Sequence, residues 1–597
     1  MWKIIFLVVV IEVCVISCEE DPIVCIDNGC IRGKSFKGNQ KAFEGFLGIP
    51  YAKPPTNELR LKDPQPTVEK WNDVYNATEE KMFCMQKNYF LPNPTVSGVE
   101  DCLYLYIYRP KNVMRNRRKL LPVIIYLHGG GFFAGTAGPS ITGADFFMDT
   151  EDVIVVTMNY RLGPLGFLST GDINMSGNFG LKDQALAIKW TKDNIKAFGG
   201  DASNIALMGQ SAGASSAHLH MMSSPKWSRN LFHKTIMLSG NGNGPYFYVI
   251  ENPLKQAKEF AKAIGIKDYD EMQSEELAIN LRRVDPEILI RACDKLKIWS
   301  IDPLTISRPV VEDCQTHNGF LCNNPVEIWR SGDYVRVPML TGFMDGDGGV
   351  RALAILENKT QLHDLNERFD ELFPKLMEIE NKSSEMNFKH LNMIKKRYFR
   401  GISEISNETS NDLIRIYTER SFITPLFNTL SQHVQQDKKT PAYLYKFSFN
   451  SSLSYSSFFT GNSKNYGAVH CDELIYLLKS PAIFPNQFEQ NSIESKFRTK
   501  FVKFFTDFVA NGKPNKISGK AVRQCEALNY KSTNPSLKCN IVEFGNDFTM
   551  KLTGEIDPTI AEFWNNIDPT MMGTKEDSLV SRNEVFQIFK IHSGHTN

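Results

Sequence analysis

Gly209-Gln210-Ser211-Ala212-Gly213 follows the apolar run Ile205-Ala206-Leu207-Met208 and opens a stretch rich in helix formers. A chain that turns so sharply from strand to helix forces its central residue into a strained backbone conformation, and side chains two positions to either side would collide. Glycine stands at both flanks. The turn predicts the Ser211 hydroxyl alone at a sheet edge, at the positive end of a helix, where an attacking oxygen that gathers charge is stabilised. An ordinary Gly/Ser-rich turn would explain the same five residues, so the reading depends on what accompanies them.

The run Pro122-Val123-Ile124-Ile125-Tyr126-Leu127 reads as a fully buried strand and ends in His128-Gly129-Gly130-Gly131-Phe132. Glycines there leave backbone N–H groups unscreened by side chains. The amides of Gly130, Gly131 and Ala212 are predicted to hold a tetrahedral oxyanion, each such donor contributing about 3 kcal/mol in acyl transfer.

A serine nucleophile on such an elbow needs a base and an orienting acid, which follow it in the order acid, then histidine. Gly467-Ala468-Val469-His470 lies in a loop ahead of the apolar helical stretch Leu474-Ile475-Tyr476-Leu477-Leu478, which makes His470 the candidate base. Val337-Pro338-Met339-Leu340-Thr341-Gly342 reads as a buried strand, and Asp345-Gly346-Asp347-Gly348 follows at its end. One of these two aspartates is expected to hold the imidazole tautomer. Among the 11 histidines, His218 and His220 fall on the helix after the elbow and are expected to pack or cap there. Their two-residue spacing points them to different faces, against a metal site.

Together these residues resemble the type-B carboxylesterases of the cholinesterase-like α/β-hydrolase superfamily. Further landmarks follow in order, in Gly48-Ile49-Pro50-Tyr51-Ala52, Glu100-Asp101-Cys102-Leu103, Asn159-Tyr160-Arg161-Leu162-Gly163, Gly180-Leu181-Lys182-Asp183-Gln184 and Phe198-Gly199-Gly200-Asp201. The resemblance runs from about Gly29 to Trp564. It implies an α/β fold: a large, mostly parallel central sheet flanked by helices, with cap insertions around a gorge. It also implies a Ser211, Asp347, His470 triad, because the family's acid sits five residues after the glycine closing its strand and is followed by glycine. Most relatives carry glutamate there, so aspartate is a departure. Ser239, in the family's Ser-Gly turn, is implied as a partner of the acid. No cofactor or metal is implied.

The landmarks span nearly the whole 597-residue chain without a Pro/Gly/Ser linker, so one catalytic domain is expected over residues 19–567. A composition of 42% hydrophobic residues with 40 Phe suffices for a sizeable core and an apolar gorge. The net charge of +1 gives no electrostatic case for nucleic acid or an acidic substrate, and Arg115, Arg117, Arg118 and Lys119 read as a solvated loop. The charged stretch from Asn358 to Asn411 and the helical segment from Lys255 to Ile264 are expected in the cap.

Lys3, the apolar run Ile4 to Ile11 and small Ser17 ahead of Glu19-Glu20-Asp21 read as a secretory signal peptide over residues 1–18. No later segment is apolar for the length of a bilayer helix, and the tail 568–597 is polar, so a secreted chain without a membrane anchor is expected. The 12 cysteines suit an oxidising destination. The family resemblance pairs Cys84 with Cys102. Cys25 and Cys30 flank the hairpin signal Asn28-Gly29, and proximity suggests Cys314 with Cys322 and Cys525 with Cys539. Outside residues 1–18, Cys293 and Cys471 remain, Cys471 as a small buried filler. Sequons at Asn76, Asn174, Asn358, Asn381, Asn407 and Asn450 permit glycosylation where exposed.

Substrate class turns on two substitutions. Many relatives place glutamate before the nucleophile, a charge worth about 2 kcal/mol to a cation at about 8 Å in an effective dielectric near 20. Here the residue is Gln210. Between Cys84 and Cys102 there is also no tryptophan to hold a quaternary ammonium group. The Gly-Gln-Ser-Ala-Gly sequence resembles instead the signature of insect juvenile hormone esterases, which cleave the methyl ester of a long sesquiterpenoid. General insect carboxylesterases share most of these landmarks and form the alternative. Adhesion proteins of this fold have lost the serine or histidine and usually carry an anchor, whereas Ser211, Asp347 and His470 are all present here.

Overall fold

Strands that are apolar on both faces must be covered by helices on both sides. In the computed structural model, Ile124, Tyr126, Ala206, Met208, Ile236 and Leu238 point into one hydrophobic layer, and the alternating Val123, Ile125, Leu127, Ile205, Leu207 and Met237 into another. The first layer is covered by the helix Ile493–Asn511 through Phe497, Phe501, Phe505 and Phe508. Helices Phe179–Asn194 and Ala212–Met222 cover the second.

The structure describes residues 21–573 except 112, 114–118, 316, 317, 402, 403, 407, 490, 528–536 and 547–549. The signal segment 1–18, Arg115, Arg117, Arg118, the sequon Asn407 and the tail after 573 therefore lie outside the described residues.

The strands of the main sheet are β1 (Lys34–Phe36), β2 (Phe43–Pro50), β3 (Tyr104–Pro110), β4 (Leu121–Leu127), β5 (Ile154–Met158), β6 (Gly200–Gln210), β7 (Lys234–Leu238), β8 (Met339–Met344), β9 (Ala442–Phe447), β10 (Ile541–Phe544) and β11 (Met550–Thr553). They form one 11-stranded sheet in the order β11-β10-β9-β8-β7-β6-β4-β5-β3-β2-β1. Pairing is parallel from β5 through β10. Antiparallel strands close both edges. This is the mostly parallel, helix-flanked sheet expected from the sequence. No helix among the described residues is long and apolar enough to cross a membrane.

Two of the sequence landmarks, Asn159–Gly163 and Gly180–Gln184, turn out to hold buried polar joints. Arg161 grips Asp183 with Nε at 2.8 Å and Nη2 at 2.7 Å, and its own amide donates to the same carboxylate at 3.0 Å. Lys182, fully buried, bonds Glu312 and Asp63, each at 2.6 Å. Gln184 Oε1 meets His220 Nε2 at 2.9 Å, and the His218 ring stands edge-on to Trp329. Burial pulls both histidines down to about 3, so each packs as a neutral ring.

Disulfides join Cys25 to Cys30, Cys84 to Cys102, Cys314 to Cys322 and Cys525 to Cys539. Cys25 faces Cys30 across a two-stranded hairpin, as its turn signal suggests. Cys293 and Cys471 are free. Of the described sequons, Asn76, Asn358 and Asn450 are exposed, and Asn174 is half-buried. Asn381 is a correction. Its side-chain oxygen accepts from the Ser383 amide at 2.9 Å, and the residue is only 3% exposed, so it does not meet the exposure condition.

Because Arg161 and Asp183 are both desolvated, removing one partner leaves an uncompensated charge in the core. Arg161→Met is expected to destabilise the fold by about 3–5 kcal/mol. Thermal unfolding of the variant checks this, and an unchanged midpoint would refute it.

Candidate active site

The local geometry begins at the end of β6, where Gly209 pairs with Leu127 of β4 and Gln210 with Leu238 of β7. The next residue, Ser211, has φ 57° and ψ −122°, and its amide donates to Leu238 O at 2.9 Å. The helix Ala212–Met222 starts immediately after it. Both flanking glycines are sterically required. A Cβ on Gly209 would lie 2.1 Å from Gly213 O, and one on Gly213 would lie 2.0 Å from Leu127 O.

The glycine loop leaves β4 beside this elbow. Gly130, at φ 104°, adopts a conformation that L side chains rarely reach, and its carbonyl accepts the amides of Phe133 and Ala134. The amides of Gly130, Gly131 and Ala212 donate to no acceptor among the described residues. Two contacts fix the loop that the sequence reading did not anticipate. Tyr160 stacks on His128, with ring centroids 4.3 Å apart, and its hydroxyl donates to His128 O. Gln86 clamps Gly135, accepting from its amide at 2.7 Å and donating to its carbonyl at 2.9 Å. Only the position of Tyr160 in a recognised landmark, and of Gln86 two residues after Cys84, marks them in the sequence.

The acid and the base arrive on different strands' loops. Asp347, after β8, is fully buried, and its Oδ1 lies 2.8 Å from His470 Nδ1. Asp345 is half exposed and pairs with Lys446 at 2.7 Å. The loops are joined by backbone, since the Gly346 amide donates to Ala468 O at 2.9 Å. That bridge brings the short aspartate within reach of the imidazole. The second carboxylate oxygen, Oδ2, turns back to accept the Met344 amide at 2.8 Å. Ser239 does not take the part expected of it: its buried Oγ has no hydrogen-bond partner among the described residues.

Around His470 the environment is tightly packed. The Phe422 ring lies 5.0 Å from the imidazole, carried by a π-helical turn at Glu419–Ile423 that no sequence signal announced. Gln210 is buried, and its side-chain amide nitrogen lies 3.2 Å from His470 Nε2. Burial, opposed by the amides of Val469 and Tyr455, pushes Asp472 up to about 7. Burial and the nearby Asp347 push Glu473 well above the ordinary carboxylate range. The Cys471 thiol is raised by burial and by the carboxyls around it, and the residue is half-buried on the wall of a chamber.

That chamber has a volume of about 360 Å³ and reaches Ser211, His470, Gly129 and Gly130. Its wall is largely apolar, with Phe83, Phe90, Leu91, Phe458, Phe459, Leu474, Leu478 and Ile483, and Gln86, Asn88, Thr136 and Ser480 add polar points. The described residues of the stretches Lys255 to Ile264 and Asn358 to Asn411 contribute nothing to this wall. The Ser211 hydroxyl, an imidazole held by a buried carboxylate, and free amides thus meet at one end of a largely apolar cavity, an arrangement suited to acyl transfer.

A family model described as "Carboxylesterase family" matches residues 20–546. The chain is 35% identical to a juvenile hormone esterase of Tribolium castaneum, over 83% of this chain and 84% of that protein. It is 33% identical to Esterase-5A of Drosophila pseudoobscura pseudoobscura, over 81% and 87%, respectively. Its structure is similar to the crystal structure of juvenile hormone esterase from Manduca sexta with OTFP covalently attached, with a TM-score of 0.73, 26% identity, and coverage of 92% of this chain and 99% of that one. From the elbow, the glycine loop and the breadth of these matches, the chain belongs to the carboxylesterase family.

Proposed function

We propose that this protein is a secreted serine esterase that cleaves long apolar esters through an acyl-enzyme on Ser211, with juvenile hormone methyl ester as its substrate. The observation that carries the reading is the buried His470–Asp347 contact of 2.8 Å at the Ser211 end of an apolar chamber. In this scheme Ser211 Oγ adds to the ester carbonyl and passes its proton to His470 Nε2. Asp347 holds the Nδ1–H, which keeps the accepting lone pair on Nε2. The amides of Gly130, Gly131 and Ala212 receive the oxyanion. Collapse expels the alcohol, which takes the proton from His470, and water repeats the sequence to release the acid.

The substrate class rests on the apolar chamber wall, on the uncharged Gln210, and on the similarity to two proteins named juvenile hormone esterase. A broad-specificity carboxylesterase is the second reading, favoured by the nearly equal identity, 33%, to Esterase-5A. The apolar leader after Lys3 and the four disulfides support export to an oxidising compartment.

Ser211→Ala is expected to abolish organophosphonate labelling and to lower turnover by about six orders of magnitude with the fold intact. A stable adduct mapped elsewhere would refute the nucleophile. Asp347→Asn is expected to cost roughly four orders of magnitude near neutral pH, by favouring the wrong tautomer, and Asp345→Asn far less. Equal losses would assign the wrong carboxylate. For substrate class, kcat/KM for a juvenile hormone is expected to exceed that for aryl acetates, and that for acetylcholine by orders of magnitude, since each buried methylene contributes about 0.8 kcal/mol. Good cleavage of aryl acetates with poor cleavage of the hormone would instead establish the broad esterase.

A further inference from the structure

In the mechanism proposed above, His470 Nε2 must take the proton of Ser211, yet its hydrogen-bond partner in the structure is the Gln210 amide at 3.2 Å. Ser211 Oγ makes no hydrogen bond among the described residues. Nδ1 donates to Asp347 Oδ1, so the neutral ring presents a lone pair at Nε2. Gln210 therefore offers its N–H there, because its carbonyl would set two lone pairs against each other. The side chain is boxed in. It is 1% exposed, and Oε1 stands 2.6 Å from where a Cβ on Gly129 would lie.

We infer that Gln210 is a positioning residue that holds His470 in the neutral, Nδ1-protonated tautomer by donating to Nε2. An N–H facing Nε2 stabilises neutral imidazole and opposes the imidazolium, which has a proton of its own at that atom. Nε2 gives up the Gln210 N–H when it takes the Ser211 proton. Other groups around the ring do not supply this preference. Phe422 is apolar, and Asp472, Glu473 and Cys471 on the same turn are all shifted toward their neutral forms. Tyr126 of β4 and Tyr445 of β9 are raised by burial, and His128 on the glycine loop is pulled down to about 4. Asp347 holds the N–H at one nitrogen, and Gln210 is the polar group at the other.

The inference depends on the esterase reading, and the two can fail separately. Only neutral His470 accepts the serine proton, so activity is lost below its pKa, and anything that favours the imidazolium moves that loss to higher pH. The acid limb of kcat/KM for p-nitrophenyl acetate is expected lowest in the natural protein and higher in Gln210→Met, which removes the donor without adding charge. In Gln210→Glu it should rise by about one pH unit or more, because a carboxylate at this distance favours the cation. The pH dependence of organophosphonate labelling reads the same base without turnover. Loss of hydrolysis in Ser211→Ala under the same conditions ties the signal to this site, and its persistence would overturn the esterase reading instead. Coincident acid limbs for the natural protein and Gln210→Met overturn the present inference, whether or not the glutamate variant folds.

Discussion

Strand β6 is hydrogen-bonded in parallel to β4 and β7 up to the residue before Ser211, and this double registry fixes the rest of the site. A non-glycine residue at φ 57° and ψ −122° is strained, at a cost of order 1–3 kcal/mol, and persists only where its surroundings over-determine it. Here the Ser211 amide is bonded to Leu238, and Gly213 is pressed onto Leu127 O. Since Leu127 is the last residue of β4, the same contact brings the glycine loop alongside the serine. Nucleophile and free amides are one construction.

The base and its acid are assembled by a different device. Asp347 lies 123 positions from His470 in the chain, and the Gly346–Ala468 backbone bridge joins their loops. With that bridge in place the loss of one methylene relative to glutamate is absorbed by the backbone. The Ser239 hydroxyl has no partner among the described residues. Burial raises two further carboxyl groups on the histidine's own turn, Asp472 and Glu473, and the imidazole N–H goes to Asp347.

Chamber and base meet at Gln210. An amide there removes a carboxylate from an otherwise apolar cavity, and the same N–H lies against His470 Nε2. One uncharged side chain thus faces both the chamber and the imidazole. In a buried site these effects cannot be separated, because a charge that attracted a cationic substrate would also stabilise the imidazolium.

Short-range requirements were legible in the sequence. The two glycines around Ser211, the glycine run after β4 and the hairpin between Cys25 and Cys30 each answer a local steric demand, so their spacing alone carries the signal. The alternation that sorts Tyr126 and Leu127 into opposite layers is equally local. The reach of Asp347, the idleness of the Ser239 hydroxyl, the burial of Asn381, the packing of Phe422 against His470 and the Gln210 hydrogen bond were decided only by the tertiary structure. Each depends on where a distant loop comes to rest to within an ångström or two, and hydrogen bonds weaken steeply over that range. Sequence spacing determined which residues could serve, and packing between loops far apart in the chain decided which of them touch.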